Sequence, residues 1–202
     1  EVRDGEFKTV ACDKHSNGSS AFYALYVAGE SGEVECNVYG GEFTSISKVA
    51  AFVGNSNDGG DKEEALVHIY GGSFISQSDD KEAVHVDEAL GGLEIAGGTF
   101  SSDVSAYVIT GSTAEKVQDE SGMWHIVPAA NSVAAIGSLG YETLKDAIDA
   151  AQQGDTILLL KDVSDAVGIS VPSGKAFTID FDGHIYTLTG PGAGSTNTET
   201  NG

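Results

Sequence analysis

The side chains best suited to chemistry in this sequence are outward aromatics and one histidine: Tyr39, Tyr70, His68, Tyr26 and Phe52. Their chemistry is recognition, because an exposed ring stacks on the face of a sugar or on a partner side chain. The competing reading is that the rings stack on each other and tile the surface. His68 and His85 both fall at outward positions, but on different strands, so no metal site is expected from them. Two carboxylate pairs, Asp79/Asp80 and Asp180/Asp182, are candidates for hydrolysis, which needs two carboxyl groups about 5–10 Å apart. Asp79-Asp80 reads as an exposed turn, however, and Asp182-Gly183 as a turn signature. Calcium is a further candidate partner, through Asp58/Asp61 or Asp79/Asp80. Gly59-Gly60-Asp61 is only a fragment of a calcium-binding nonapeptide, and Asn55 to Asp61 misses the spacing of an EF-hand loop. No phosphate-binding loop, G-x-S-x-G elbow or H-E-x-x-H motif is present. The expectation is a chain with no catalytic residue, no cofactor and no built metal site.

The elements that position the aromatics are repeated. Asp4-Gly5-Glu6-Phe7, Gly40-Gly41-Glu42-Phe43, Gly71-Gly72-Ser73-Phe74 and Gly97-Gly98-Thr99-Phe100 are one motif, with Phe spacings of 36, 31 and 26 residues. Three of the four follow an alternating run: Cys36-Asn37-Val38-Tyr39, Val67-His68-Ile69-Tyr70 and Leu93-Glu94-Ile95-Ala96. Leu25-Tyr26-Val27, Ala51-Phe52-Val53 and Val84-His85-Val86 form a second recurring run. Alternation of period two marks a strand with one buried face. It places Cys36, Val67 and Leu93 in one inward column, Val38, Ile69 and Ile95 in a second, and the four Phe in a third. One repeat is too short to bury its own face, whereas stacked repeats bury a continuous interior. The fold class this predicts is all-β, a parallel β-helix spanning residues 1–128. A β-sandwich is the alternative, since short alternating strands between glycine turns also suit it. The length variation between strands argues against a propeller, whose blades need about 40 residues each.

After a small-residue link at 129–132, a second block covers 133–202. Leu144, Ala147, Ile148 and Ala151 make one helical stripe, predicting a short amphipathic helix near 142–153. Thr143 is its expected N-cap, with Asp146 three residues on. Strands are expected at 155–160, 168–171, 177–181 and 185–188. This block either opens a second solenoid or docks its helix on the first.

Composition narrows the partners. The chain has 202 residues, 31 Asp+Glu against 10 Lys+Arg, and a formal charge of −21. Phosphate binding needs clustered cations, so nucleic acid is excluded, as are anionic membrane surfaces. A lyase acting on acidic polysaccharides needs a basic residue and cations to neutralise its substrate, and the single arginine, Arg3, opposes that. No apolar run is long enough for a transmembrane helix, and Glu1 opens the chain without the features of a signal peptide. Cys12 and Cys36 read as two thiols; one disulfide between them is the alternative.

The stretch Ile95-Ala96-Gly97-Gly98-Thr99-Phe100-Ser101-Ser102-Asp103-Val104-Ser105-Ala106-Tyr107-Val108, followed by Met123-Trp124-His125-Ile126-Val127, resembles recurrent G-G-T-F-S-x-D-x-S-x-Y-V … W-x-V modules. These belong to large repeat-containing surface proteins of gut-dwelling Gram-positive bacteria. Thr143-Leu144-Lys145-Asp146-Ala147-Ile148-Asp149-Ala150-Ala151-Gln152-Gln153-Gly154-Asp155-Thr156-Ile157 is similar to the T-L-x-x-A-I-x-x-A-x-x-G-D-T-I opening of such modules, and Ile179-Asp180-Phe181-Asp182-Gly183-His184 to the turn that follows it. The resemblance covers most of residues 90–190, and 1–89 only through the repeat. It implies a pectin-lyase-like, right-handed β-helix with a capping helix. It further implies an extracellular, adhesin-like, non-catalytic protein whose partner is a glycan or a host or bacterial surface protein. A passive stalk and a polysaccharide lyase or glycoside hydrolase are the alternatives.

Overall fold

The structure is a computed structural model that describes residues 1–9, 23–29, 32–46, 48–54, 64–78, 82–87, 90–116 and 122–189. Cys12, Asp58, Asp61, Asp79 and Asp80 lie outside the described residues. The fold is mostly β, with one α-helix among the described residues. The chain divides into two compact units, Glu1–Val127 and Pro128–Gly202.

The first nine strands come in three sets of three. They are β1 (Glu6–Lys8), β2 (Leu25–Val27) and β3 (Val34–Val38); β4 (Glu42–Ser45), β5 (Ala51–Val53) and β6 (Ala65–Ile69); then β7 (Ser73–Ser76), β8 (Val84–Val86) and β9 (Gly91–Ile95). Three more follow: β10 (Thr99–Phe100), β11 (Ser112–Lys116) and β12 (Trp124–Pro128). Each strand pairs in parallel with its counterpart in the next set, giving the runs β1–β4–β7–β10, β2–β5–β8 and β3–β6–β9. The register is the one the repeat predicts. Phe7, Phe43, Phe74 and Phe100 are matched, as are Cys36, Val67 and Leu93. Val38, Ile69 and Ile95 form a third column, which bridges extend to Val2 at one end and Val108 at the other.

Side chains at matched positions stack because adjacent strands lie about 4.8 Å apart, within the roughly 4.5–7 Å centroid separation of offset-stacked rings. The phenylalanine rings stand 4.9, 4.7 and 5.3 Å apart along the column, within 8° of parallel. Phe43, Phe74 and Phe100 are fully buried, whereas Phe7, at the end, is 38% exposed. The glycine pairs let the chain turn tightly enough to bring the rings together. A Cβ on Gly71 would lie 2.6 Å from the Tyr39 carbonyl oxygen, and Gly72 holds φ at +102°, where side chains are disfavoured. At the other end of the Phe strands, hydroxyls take over as acceptors. Ser101 accepts from the Ser76 amide at 2.9 Å, and Ser102 from the Ala83 amide at 2.8 Å. Main-chain donors leaving the ladder are thereby satisfied.

The parallel order does not run throughout. β12 pairs antiparallel with β10, setting Trp124 opposite Phe100, and β11 forms the outer strand of this six-stranded sheet.

The second unit contains β13 (Ala134–Ile136), β14 (Leu139–Tyr141), α1 (Leu144–Ala150), β15 (Thr156–Leu159), β16 (Val163–Ala166), β17 (Thr178–Asp180) and β18 (Tyr186–Leu188). β13 pairs antiparallel with both β14 and β15, while β15–β17 and β16–β18 are parallel. The helix buries Leu144, Ala147 and Ile148 in a separate core with Ala134, Ala151 and Ile157. Its N-terminus is a reciprocal cap: the Asp146 amide donates to Thr143 Oγ1 at 3.1 Å, and that hydroxyl donates to the Asp146 carboxylate at 2.6 Å. The helix is shorter than the expected 142–153. Ala151 is already extended, with ψ at 139°, and the Gln152 amide bonds the Asp155 side chain at 2.7 Å instead of continuing the helix. The strand expected at 168–171 does not form. β16 lies earlier because Ala166 is the residue that buries, whereas Val167 and Val171 remain 66% and 52% exposed.

Candidate functional site

Tyr39 and Tyr70 directly follow β3 and β6, each just before a glycine pair. Their main chain is pinned to the neighbouring segment: the Tyr39 amide donates to the Val2 carbonyl, ahead of β1, at 2.7 Å, and the Tyr70 amide to the Val38 carbonyl of β3 at 2.8 Å. The two phenol rings therefore stack outside the core, 4.9 Å apart and 12° from parallel. They are 45% and 46% exposed. Arg3 continues the same stack, its guanidinium carbon 5.0 Å above the Tyr39 ring, while also pairing with Glu1.

His68 lies two residues before Tyr70 on β6, its ring 6.3 Å from the tyrosine ring. The register sets it between Asn37 and Glu94. Its Nδ1 is 3.0 Å from Glu94 and its Nε2 is 3.9 Å from Glu35. Asn37 donates to the Glu35 carboxylate at 3.0 Å, which holds that side chain on the same face. Partial burial, then the Tyr39 ring and the carboxylates of Glu94 and Glu35, raise the Tyr70 phenol above its ordinary value. The result is an aromatic face with a cation at one end and, beside it, a histidine set between two carboxylates. It can stack planar or apolar ligands and attract positive charge.

Of the five candidate side chains, the structure brings Tyr39, Tyr70 and His68 onto one face. Tyr26 and Phe52 form a separate group. Tyr26 stacks on Phe52 at 5.5 Å, Tyr23 lies 5.0 Å from Phe52, and His85 stands 5.2 Å beyond it. This corrects the reading of Phe52 as an outward, available ring. It faces away from the main core but is only 8% exposed, because aromatic neighbours flank it. Alternation tells which face a residue takes, not what covers that face. Arg3 and Glu35 are the residues of the Tyr39–Tyr70 face that the sequence did not single out. Glu35 was findable, since it precedes the outward Asn37 by two residues.

The Asp180/Asp182 pair belongs to its own turn. The Asp182 amide donates to the Asp180 side chain at 2.9 Å, and Asp182 adopts φ +45° ahead of Gly183. No group of three or more metal-ligating side chains occurs among the described residues. Cys36 carries a free thiol in its interior column, and burial pushes that thiol up. No helix among the described residues is long and apolar enough to cross a membrane.

Compared with protein-family models, curated proteins and solved structures, the chain matches none.

Proposed function

We propose that the chain is a non-catalytic, extracellular, adhesin-like module of a bacterial surface protein, in which Tyr39 and Tyr70 receive a glycan or protein ligand. In this reading the first unit is a right-handed parallel β-helix. The matched registers of three parallel strand runs support it, as do the continuous phenylalanine and aliphatic columns. The resemblance of residues 90–190 to surface-protein modules supports the extracellular setting.

The single observation that carries the binding role is the exposed Tyr39–Tyr70 stack. Nearly half of each residue remains in water, although the interior holds a phenylalanine column whose rings bury fully. Apolar ring area left in solvent at a fixed, rigid position is what a stacking site needs. The test is binding of the intact chain to arrays of glycans and of surface proteins, alongside Tyr70→Ala. The expected outcome is a ligand whose signal disappears with the ring. A ligand bound equally by the variant would overturn the site.

The second reading, a passive stalk, draws on the stacking of outward rings upon each other, as in the Tyr26–Phe52 group. Failure to bind any member of both arrays would favour it. Steady formation of unsaturated uronates on incubation with pectin or alginate, followed by ultraviolet absorbance, would overturn both readings in favour of a lyase.

A further inference from the structure

The phenylalanine column ends differently at its two edges. At the far edge the chain closes it with an antiparallel strand of its own. There β12 lies against β10, Trp124 opposite Phe100 and His125 opposite Thr99, and Phe100 is fully buried. At the near edge β1 is the outermost strand of the sheet, and no described strand pairs with its outer side. All three β1 residues are exposed, and Phe7 keeps 38% of its surface in water with Phe43 as its one described ring neighbour.

The hydrogen bonds of β1 define what that edge offers. The Glu42 amide donates to the Gly5 carbonyl at 2.8 Å, and the Thr9 amide to the Thr44 carbonyl at 3.0 Å. Main-chain groups alternate in direction along a strand, so Gly5, Phe7 and Thr9 bond toward β4, while Glu6 and Lys8 turn their amides and carbonyls outward. An edge of that kind is a template for another strand.

The sequence of β1 selects the strand. Glu6-Phe7-Lys8 places opposite charges on either side of a ring. A second copy of β1 in parallel register would set glutamate against glutamate and lysine against lysine. Antiparallel pairing, about a two-fold axis through Phe7 and normal to the sheet, sets Glu6 opposite Lys8 of the second copy, and Lys8 opposite its Glu6. Opposite charges facing each other across a strand pair attract, and like charges repel. Glu6 and Lys8 are also the residues whose main-chain groups face outward, so each of these pairs exchanges both of its hydrogen bonds. The same axis keeps the two Phe7 rings on one face of the joined sheet, ring against ring, as Trp124 meets Phe100. Residues 1–9 hold three acidic and two basic side chains, so this edge is nearly neutral in a chain of −21, and a second copy meets least repulsion there.

We propose that β1 is a self-association edge: two copies of the chain pair antiparallel through Glu6–Lys8, each covering the other's Phe7. A two-fold contact of this kind is closed, so assembly stops at the dimer.

The test is sedimentation velocity on the intact chain over a concentration series, with a reductant present. The wild-type chain is expected to move from monomer to dimer as concentration rises. Glu6→Lys and Lys8→Glu each place like charges opposite one another twice, and each is expected to raise the dimer dissociation constant about tenfold or more. Both positions are exposed, so the circular dichroism of each variant should match the wild type. Mixed in equal amounts, the two variants face each other with opposite charges and are expected to recover wild-type association as a heterodimer. The double variant Glu6→Lys/Lys8→Glu, which exchanges the charges within one chain, should dimerise alone. Monomer at every concentration up to about 1 mM overturns the proposal. So does self-association that neither single reversal weakens, a mixture that associates no better than its components, or growth beyond the dimer.

Discussion

Phe74 is stacked on both faces, by Phe43 at 4.7 Å and Phe100 at 5.3 Å, and has no exposed surface. Phe7 has the same motif behind it but one described ring neighbour and 38% exposure. The same substitution at the two positions should therefore differ. Phe74→Ala is expected to cost about 3–5 kcal/mol in urea denaturation, the range for a buried phenylalanine, and Phe7→Ala less than about half of that. Equal losses would mean the column is not continuous. At Gly71 the controlling contact is with main chain, which cannot swing aside: an added Cβ meets the Tyr39 carbonyl oxygen at 2.6 Å. Gly71→Ala is expected to cost roughly 2–4 kcal/mol, far more than an ordinary loop substitution. The interior was legible at this scale because one motif recurs four times and each copy reports on the others. Arg3 was not legible as part of the tyrosine stack. It stands where the repeat elsewhere carries tyrosine, four residues before Phe7, but an arginine in that place does not read as a ring, and the Val2–Val38 bridge brings it alongside.

At the scale of elements, the tie between β16 and β18 carries a pH signature. The Ile185 amide donates to Asp162 at 2.9 Å and the His184 ring lies 3.2 Å away; together, the amide first, they hold the Asp162 carboxyl below the usual carboxylate range. A carboxyl whose value is lowered by folding stabilises the fold above its unfolded value. That contribution is lost as pH falls through the lowered folded value. The urea midpoint of the second unit should accordingly drop on acidification through the carboxylate range, and Asp162→Asn should lower it at neutral pH while making the acid limb shallower. An unchanged acid limb in the variant would remove Asp162 from the account. The helix was legible from its apolar stripe and its Thr143 cap, but its last turn was not. Ala151 reads as the next member of the stripe, and it is buried, yet it is buried from an extended backbone. The β13–β14 hairpin escaped the sequence reading for a related reason. Ala134-Ala135-Ile136 and Leu139-Gly140-Tyr141 are too short and too rich in small residues to show a period.

For the whole molecule, the deciding quantity is where the charge sits. The buried polar side chains among the described residues are Thr44, Ser45 and Ser132, none of them ionisable in the working range. The charged side chains of the described residues therefore lie on surfaces, where like charges repel across the folded chain more closely than across the unfolded one. Sodium chloride at about 0.15 M, where the screening length falls to about 8 Å, should raise the melting temperature relative to low salt. A melting temperature that falls with salt would mean that attractive pairs, such as Lys145 with Asp149, outweigh the repulsion. The division into two units was visible in the sequence as the point where the repeats stop and the helical stripe begins. Strand order was visible only where residues repeat.

The spacing of the phenylalanines, 36, 31 and 26 residues over a constant register, has a genetic consequence. The interior counts strands, and the connectors absorb whatever length is left. Deleting residues 40–70, 31 in all, would join Tyr39 to Gly71 and splice one tyrosine–glycine junction onto another. β1, β2 and β3 would then face β7, β8 and β9 with every matched register in phase, one set of three strands fewer. Such a chain should still fold, with its stability reduced by about one repeat's share. Unequal recombination within the gene would thus lengthen or shorten the protein by whole sets of strands while keeping their registers matched.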